Sequence, residues 1–445
     1  MGPATFVVCS GCGHRAPDEE PFPFRCPKAG TDDADHVMVR ELDPDRVSFP
    51  DDEDEPNPFV AYRELFHGYH LALAHGLSDE DAVGIARDLD TRVADFEGHG
   101  FVVTPFAPVP ELSERLGFEV WVKDETGNVS GSHKARHAMG LMLHLLSVER
   151  AGLAADGPPP DLAIASCGNA ALGAAVVARA AERTLRVFVP TWADPAVLAR
   201  LGSLGAVIEV CPRQEGVPGD PAYHALKRAL ADGAVPFTTQ GPDNGLTIEG
   251  GETLGFEMVS TLRRAGASLD RLVVQVGGGA LASSLIRAFE DAALLEAPER
   301  LPRIHAVQTE GGHPLERAYS RVRQRVGHEL TPAGIVEAMA YARTHRSGFM
   351  WPWEDEPKSV ATGILDDETY DWAAVVAGMF ATDGSPVIVS EEALEEANRL
   401  ARDATGIDVD HTGSSGLAGL LELARRGEIG SQERVAVLFT GIRRT

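Results

Sequence analysis

The sequence predicts an α/β protein built on parallel sheets, with a small cysteine-rich knuckle ahead of them. Three observations lead there. Short runs rich in Val, Ile and Leu ("LAIAS", "RVFVP", "AVIEV", "RLVVQV", "RIHAVQT", "RVAVLFT") alternate with amphipathic helical stretches. That is the rhythm of strands buried on both faces and joined by crossover helices. The chain has 445 residues, more than one hydrophobic core holds, so two or more domains are expected. Three of the five cysteines (Cys9, Cys12 and Cys26) crowd together near the N-terminus, which suggests a metal rather than crosslinks.

Residues 1–45 form the knuckle. Cys9-x2-Cys12 followed by Cys26 is half a zinc ribbon. Cys26 is followed by Pro27-Lys28-Ala29-Gly30 and no fourth cysteine, so His36 or His14 would complete a Cys3His zinc site. The alternative is a ribbon that has lost its metal. Residues 46–99 read as the acidic, proline-broken linker "FPDDEDEPNPF" and a helical arm, with Ser78 ahead of Glu80 and Asp81 as a helix start. From about residue 100 the strand–helix alternation takes over, with helices expected over 170–183, 194–203 and 221–232.

Charge and hydropathy exclude several classes. With 67 acidic against 40 basic residues and a formal net charge of −27, the chain repels nucleic acid and anionic lipid, so neither is an expected partner. No long uncharged apolar run occurs, and no basic segment precedes an apolar one at the N-terminus. A membrane span and a signal peptide are therefore not expected, and a cytoplasmic enzyme is. Thr445 follows closely on the final strand pattern, so no appended effector-binding domain is expected.

In open α/β sheets ligands bind where strands end and helices begin. Four such junctions carry chemistry. In "SGSHKARH" Lys134 stands at the start of an apolar helix, where desolvation would lower its pKa and make it nucleophilic. In "ASCGNAALG" a tight turn offers backbone N–H groups and the amide of Asn169. "VVQVGGGAL" is a strand, three glycines and a helix, suited to one phosphate, and it lacks the dinucleotide and P-loop patterns. "VLFTG" places the Thr440 hydroxyl after the last strand, able to bond a neutral ring nitrogen. Lysine, amide loop, phosphate nest and hydroxyl in this order describe pyridoxal phosphate.

From about Val103 onward the chain resembles the fold-type II pyridoxal-phosphate enzymes, the group of threonine synthases, serine/threonine dehydratases, cysteine synthases and the tryptophan synthase β chain. The segments that carry the resemblance are "TPFAPVPELSERLGFEVWVKDETGNVSGSHKAR", "SCGNAALG", "GGGAL" and "LFTG", supported by "IEGGETLGFEM", "KSVATGILDD" and "VDHTGSSGLAGLLEL". The overall layout, with its cysteine-rich N-terminus and helical arm, is similar to threonine synthases. The resemblance implies two three-layer parallel-sheet domains of the tryptophan synthase β-like architecture. Residues 100–139 and 246–445 would form a large cofactor-binding domain, and 140–245 a small α/β domain.

By the same resemblance Lys134 is the Schiff-base lysine and Asn169 partners the cofactor's phenolic oxygen. Gly277, Gly278, Gly279 and Ala280 hold the phosphate, and Thr440 meets the pyridine nitrogen. Ser166, Cys167, Gly168 and Ala170 surround the substrate carboxylate, and a homodimer is implied. The sequence departs from the family pattern at His133 (usually phenylalanine), Ala170 (usually threonine or histidine) and Ala280 (usually a fourth glycine).

A neutral hydroxyl on the ring nitrogen favours expelling a leaving group over transamination. The expected reaction is α,β- or β,γ-elimination on a small L-amino acid with a β or γ heteroatom, of threonine synthase or serine/threonine ammonia-lyase type. The alternatives are β-replacement, as in cysteine or cysteate synthases, and a catalytically silent scaffold serving as a partner subunit. Lys123, Thr126 and Arg136, close to Lys134 in sequence, are candidates to grip a substrate phosphate. His137 and His411 are candidate acids, each better read as packed or surface histidines.

Overall fold

The computed structural model describes residues 2–50, 54–155, 157–213, 219–295, 301–327, 329–355 and 357–444. Part of the acidic linker, residues 51–53, lies outside the described residues. Twelve strands are present among those described: β1 (Thr5–Cys9), β2 (Met38–Leu42), β3 (Phe106–Pro108), β4 (Glu119–Asp124), β5 (Leu162–Ala165), β6 (Leu185–Pro190), β7 (Val207–Cys211), β8 (Val235–Pro236), β9 (Arg271–Gln275), β10 (Arg303–Thr309), β11 (Pro386–Val389) and β12 (Arg434–Phe439). They form three sheets. β1 and β2 make an antiparallel hairpin, β7-β6-β5-β8 a small parallel sheet, and β11-β10-β9-β12-β4-β3 a large one. Only β3, a three-residue edge strand broken by prolines, runs antiparallel in the large sheet, as suits an edge that cannot donate at every position.

The central strands of the large sheet are apolar because helices cover both faces. All five residues of β9 are buried, as are Val435 to Phe439 of β12. This produces the continuous Val/Leu runs visible in the sequence. β9, β12 and β4 are immediate neighbours, all parallel. Their carboxyl ends therefore open on one side of the sheet, which brings "GGG", Thr440 and the Lys134 loop together. The expected helices at 170–183, 194–203 and 221–232 are found at Asn169–Ala180, Pro195–Ser203 and Pro221–Ala231. The helix expected at Ser78 opens with a full capping box, the Ser78 and Asp81 side chains each bonding the other's backbone. Among the described residues no helix is long and apolar enough to cross a membrane.

Behind the Lys134 loop lies a buried knot of charge. Arg136 donates from Nε to Glu125 (2.8 Å), and from Nη1 to Glu257 (2.6 Å) and Thr253 (2.9 Å). Lys123 donates to the Thr104 carbonyl at 2.8 Å and pairs with Glu257. None of these four charged side chains reaches solvent. This overturns the expectation that Lys123 and Arg136 face a substrate phosphate: both are spent inside the protein. Thr126 instead bonds Asp124, its hydroxyl 2.6 Å from the carboxylate.

A second buried cluster docks the hairpin. Arg40 of β2 meets Asp291 at 2.7 Å and Glu249 at 3.3 Å, and also pairs with Glu252. Three acids share one guanidinium there, and burial pushes Glu249 up to about 7.

Two outcomes follow for stability. Arg136→Ala leaves two dry carboxylates with one cation and should cost about 3–5 kcal/mol in a denaturant titration, with Arg136→Lys failing to restore it. Glu249 holds its proton in the folded state to a higher pH than in the unfolded chain. The contribution of Glu249 to stability should therefore fall as pH rises from about 4.5 through about 7. Glu249→Gln should flatten that slope in pH-dependent melts.

Candidate active site

Lys134 is the first residue of helix Lys134–Arg150, entered from the loop after β4. That loop is strained: Ser130 holds φ 57, a left-handed conformation unusual outside glycine, followed by Gly131 at φ 70. Glu97 accepts the Ser130 N–H at 3.1 Å, and Arg444 donates to the Ser130 carbonyl at 2.7 Å, fixing the turn from both sides. Residues Ser132 and Gly441 form an antiparallel bridge, and His133 N–H donates to the Thr440 carbonyl at 3.3 Å. The lysine loop and the end of β12 are thus one unit.

Burial drives the Lys134 pKa below the usual lysine value, against the pull of Asp366 and Asp371. Among the described residues no side chain hydrogen-bonds its ammonium. Burial holds His133 and His137 neutral, His137 with a pKa of about 3 even though its ring bonds the Thr247 carbonyl (2.7 Å), a contact that pulls the other way. The Ser132 hydroxyl and the His133 Nε2 are buried without a partner, polar atoms beside the lysine that are free for a ligand.

The glycine loop stands opposite. Gly279 at φ 99 caps helix Ala280–Leu294, a conformation that glycine adopts at little cost. A Cβ at Gly278 would lie 2.9 Å from the Tyr370 ring, and one at Gly279 3.0 Å from Thr369. The loop is packed against residues 366–371, which act as a strap. Thr369 donates to the Gly277 carbonyl at 3.0 Å, and Asp371 N–H to the Gly278 carbonyl at 3.0 Å. The Gly278 N–H in turn faces the Asp366 carboxylate, whose pKa burial raises to about 6.

Asn169 opens helix Asn169–Ala180 after β5, with Ser166, Cys167, Gly168 and Ala170 half-buried around it. A Cβ at Gly173 would fall 2.8 Å from Ala135. This close crossing presses the Asn169 helix onto the Lys134 helix. The Asn169 amide nitrogen reaches Gly441, lying 2.9 Å from where a Cβ there would stand, while its oxygen accepts from Arg444 at 2.8 Å.

Thr440 is buried, and its hydroxyl accepts from Gln275 at 2.8 Å. With that lone pair engaged, its own proton is left to donate outward. The Lys134 loop is thus joined to Thr440, Asn169 lies against Gly441, and Asp366 links the glycine loop to the charge of Lys134. Gln275, Asp366, Asp371 and Arg444 were missed. Gln275 carried a usable signal, a polar residue in an otherwise apolar central strand. Asp366 lay within a segment already quoted for the resemblance.

At the N-terminus, Cys9, Cys12, Cys26 and His36 present ligand atoms within 4.8 Å of one another. His36, and not His14, is the histidine in the group. Cys12 and Cys26 sulfurs are 3.7 Å apart, and Cys9 Sγ lies 3.4 Å from His36 Nδ1.

Comparison with known proteins agrees with this geometry. The family model of pyridoxal-phosphate-dependent enzymes matches residues 99–441. The chain belongs to that family. It is 23% identical over 341 residues to threonine synthase of Methanocaldococcus jannaschii, covering 76% of this chain and 74% of that protein. It is 31% identical over 174 residues to L-threonine ammonia-lyase of Thermotoga maritima, 39% of either chain. Its fold is similar to that of diaminopropionate ammonia lyase from Escherichia coli, with a TM-score of 0.59 at 16% identity, covering 81% of this chain and 88% of that one.

The residues present fit the family's cofactor. The glycine loop presents backbone N–H groups at a helix N-terminus, the Gly278 N–H lying against Asp366, and Thr440 offers a proton of the kind a pyridine nitrogen accepts. Lys134→Ala should abolish both turnover and the visible absorption of bound cofactor while the melting temperature is kept; retained turnover would remove the lysine from its role. Gln275→Met should lower turnover by about tenfold, the worth of one hydrogen bond of ~1.4 kcal/mol.

Proposed function

We propose that this enzyme is a pyridoxal-phosphate-dependent lyase that eliminates a β or γ substituent from a small L-amino acid. In this reading Lys134, Asn169, Gly277, Gly278, Gly279, Ala280 and Thr440 hold the cofactor. Ser166, Cys167, Gly168 and Ala170 receive the substrate carboxylate. Bound there, the cofactor supplies an electron sink for charge developing at the substrate Cα. Lys134, its pKa lowered by burial, is the base for the α-proton. Thr440, oriented by Gln275, donates a hydrogen bond without giving up a full proton, which suits elimination over transamination.

The charge of the cleft carries the choice of leaving group. Asp366 acts on Lys134, Asp220 and Asp366 on Cys167, and Asp220, Asp366 and Glu368 on Tyr370, while burial pushes Asp371 up to about 8 and leaves it largely uncharged at neutral pH. The cations nearest to Lys134 in sequence are buried and paired. Such a cleft favours a hydroxyl or ammonium leaving group and opposes a phosphate. The reading is therefore ammonia-lyase type ahead of threonine synthase type. The likeness to L-threonine ammonia-lyase over part of the chain supports it.

We read residues 100–139 with 246–445 as a large domain and 140–245 as a small one, a division supported by their separate parallel sheets. We also read the enzyme as a cytoplasmic homodimer and the Cys9–Cys12–Cys26–His36 cluster as a zinc site. Five free cysteines support the reducing compartment.

Release of ammonia and keto acid should be measured with L-serine, L-threonine and 2,3-diaminopropionate against O-phosphoserine and O-phosphohomoserine. The expected kcat/KM is at least about tenfold higher for the uncharged or cationic side chains. Preference for the phosphate esters would sink this choice and restore the threonine synthase reading.

A further inference from the structure

The Cys9, Cys12, Cys26 and His36 ligand atoms already stand at the spacing of a closed metal site. Four ligands about 2.3 Å from a tetrahedral centre lie roughly 3.8 Å apart, close to the 3.7 Å between the Cys12 and Cys26 sulfurs. His36 directs Nδ1 at Cys9, and its other ring nitrogen lies 2.8 Å from the Asp32 carboxylate. A carboxylate behind the ligating histidine is the usual outer support of such sites. Three thiolates and an imidazole suit zinc, with no position left for a substrate.

The segment that supplies His36 does more than bind. Asp33 accepts from Ser347 twice, N–H to Oδ1 at 3.0 Å and hydroxyl to Oδ2 at 2.8 Å, and its carbonyl accepts the Arg346 N–H at 2.8 Å. Asp35 N–H donates to the Arg343 carbonyl at 2.7 Å, and its carboxylate pairs with Arg346 at 3.3 Å. Arg346 in turn grips Glu368 of the strap, and Phe349 stacks on Trp372 at 6.1 Å. The strap then holds the glycine loop through Thr369 and Asp371. Asp33 and Asp35, next to His36, are thus linked to Gly277 and Gly278 through Arg346, Glu368, Thr369 and Asp371.

We infer that the Cys3His cluster is a structural zinc site whose filling sets the geometry of the cofactor's phosphate cradle, acting through Asp33, Arg346 and the 366–371 strap. This rests on the zinc reading above and goes beyond it: metal and cofactor bind cooperatively, each raising the other's affinity by the same factor. Asp33 and Arg346 are positioning residues, touching neither ligand.

The test uses the full chain stripped of cofactor and titrated with pyridoxal phosphate, followed by absorption, with zinc content measured on the same samples. Cys12→Ser should lose zinc and bind the cofactor about tenfold more weakly. Asp33→Ala should keep about one equivalent of zinc and show the same cofactor weakening, which a merely structural metal would not produce. The two outcomes against it are distinct. Wild-type protein without zinc overturns the metal reading and the coupling with it. Zinc present while Asp33→Ala binds cofactor within twofold of wild type overturns the coupling alone. If Cys12→Ser does not fold, Asp33→Ala still decides.

Discussion

Two cations and two carboxylates packed together without water are the constraint on which the active site depends. Arg136 is two residues beyond Lys134, and its guanidinium is held by Glu125, Thr253 and Glu257, while Lys123 closes the charge balance. Four buried charges survive in low dielectric only with near-ideal pairing. That demand fixes the end of β4, the Glu125 loop, the first turn of the lysine helix and the helix carrying Glu257 in one arrangement. The start of the Lys134 helix is anchored by a neighbour buried away from solvent.

The same logic recurs around the cradle. A nest of N–H groups needs glycines to be open, but glycines are floppy in the unfolded chain. Here the Gly277 and Gly278 carbonyls are tied down from outside by the Thr369 hydroxyl and the Asp371 N–H. Gln275, at the end of the preceding strand, bonds Thr440, Gly413 and Leu438 at once. Side chains that do no chemistry supply the rigidity that the chemistry needs.

Much of this could be read from sequence because each candidate group sat at a strand-to-helix junction, and parallel sheets gather those junctions at one edge. Lys134, Asn169, Gly277 to Ala280 and Thr440 all stand at such strand ends and helix starts. Lys123 and Arg136 were misplaced for a reason equally physical. Nearness in sequence to Lys134 says nothing of direction, and two residues along a helix turn a side chain roughly 200° away. The strap was illegible as a partner of the glycines because some 90 residues separate them (Thr369 and Gly277 differ by 92 positions). Likewise, cysteine spacing alone left His14 and His36 equally eligible, and only the fold brought one of them to the sulfurs.

The stitch between the lysine loop and the tail of β12 bears on how the protein is made. His133 meets Thr440 across 307 positions, and Arg444 meets Asn169 across 275. Contacts of such separation form late, after long loops have closed. During synthesis the lysine helix and the amide loop leave the ribosome well before residues 440–444 exist to brace them. A nascent chain short of that tail carries Lys134 and Asn169 but lacks the contacts that brace their loops.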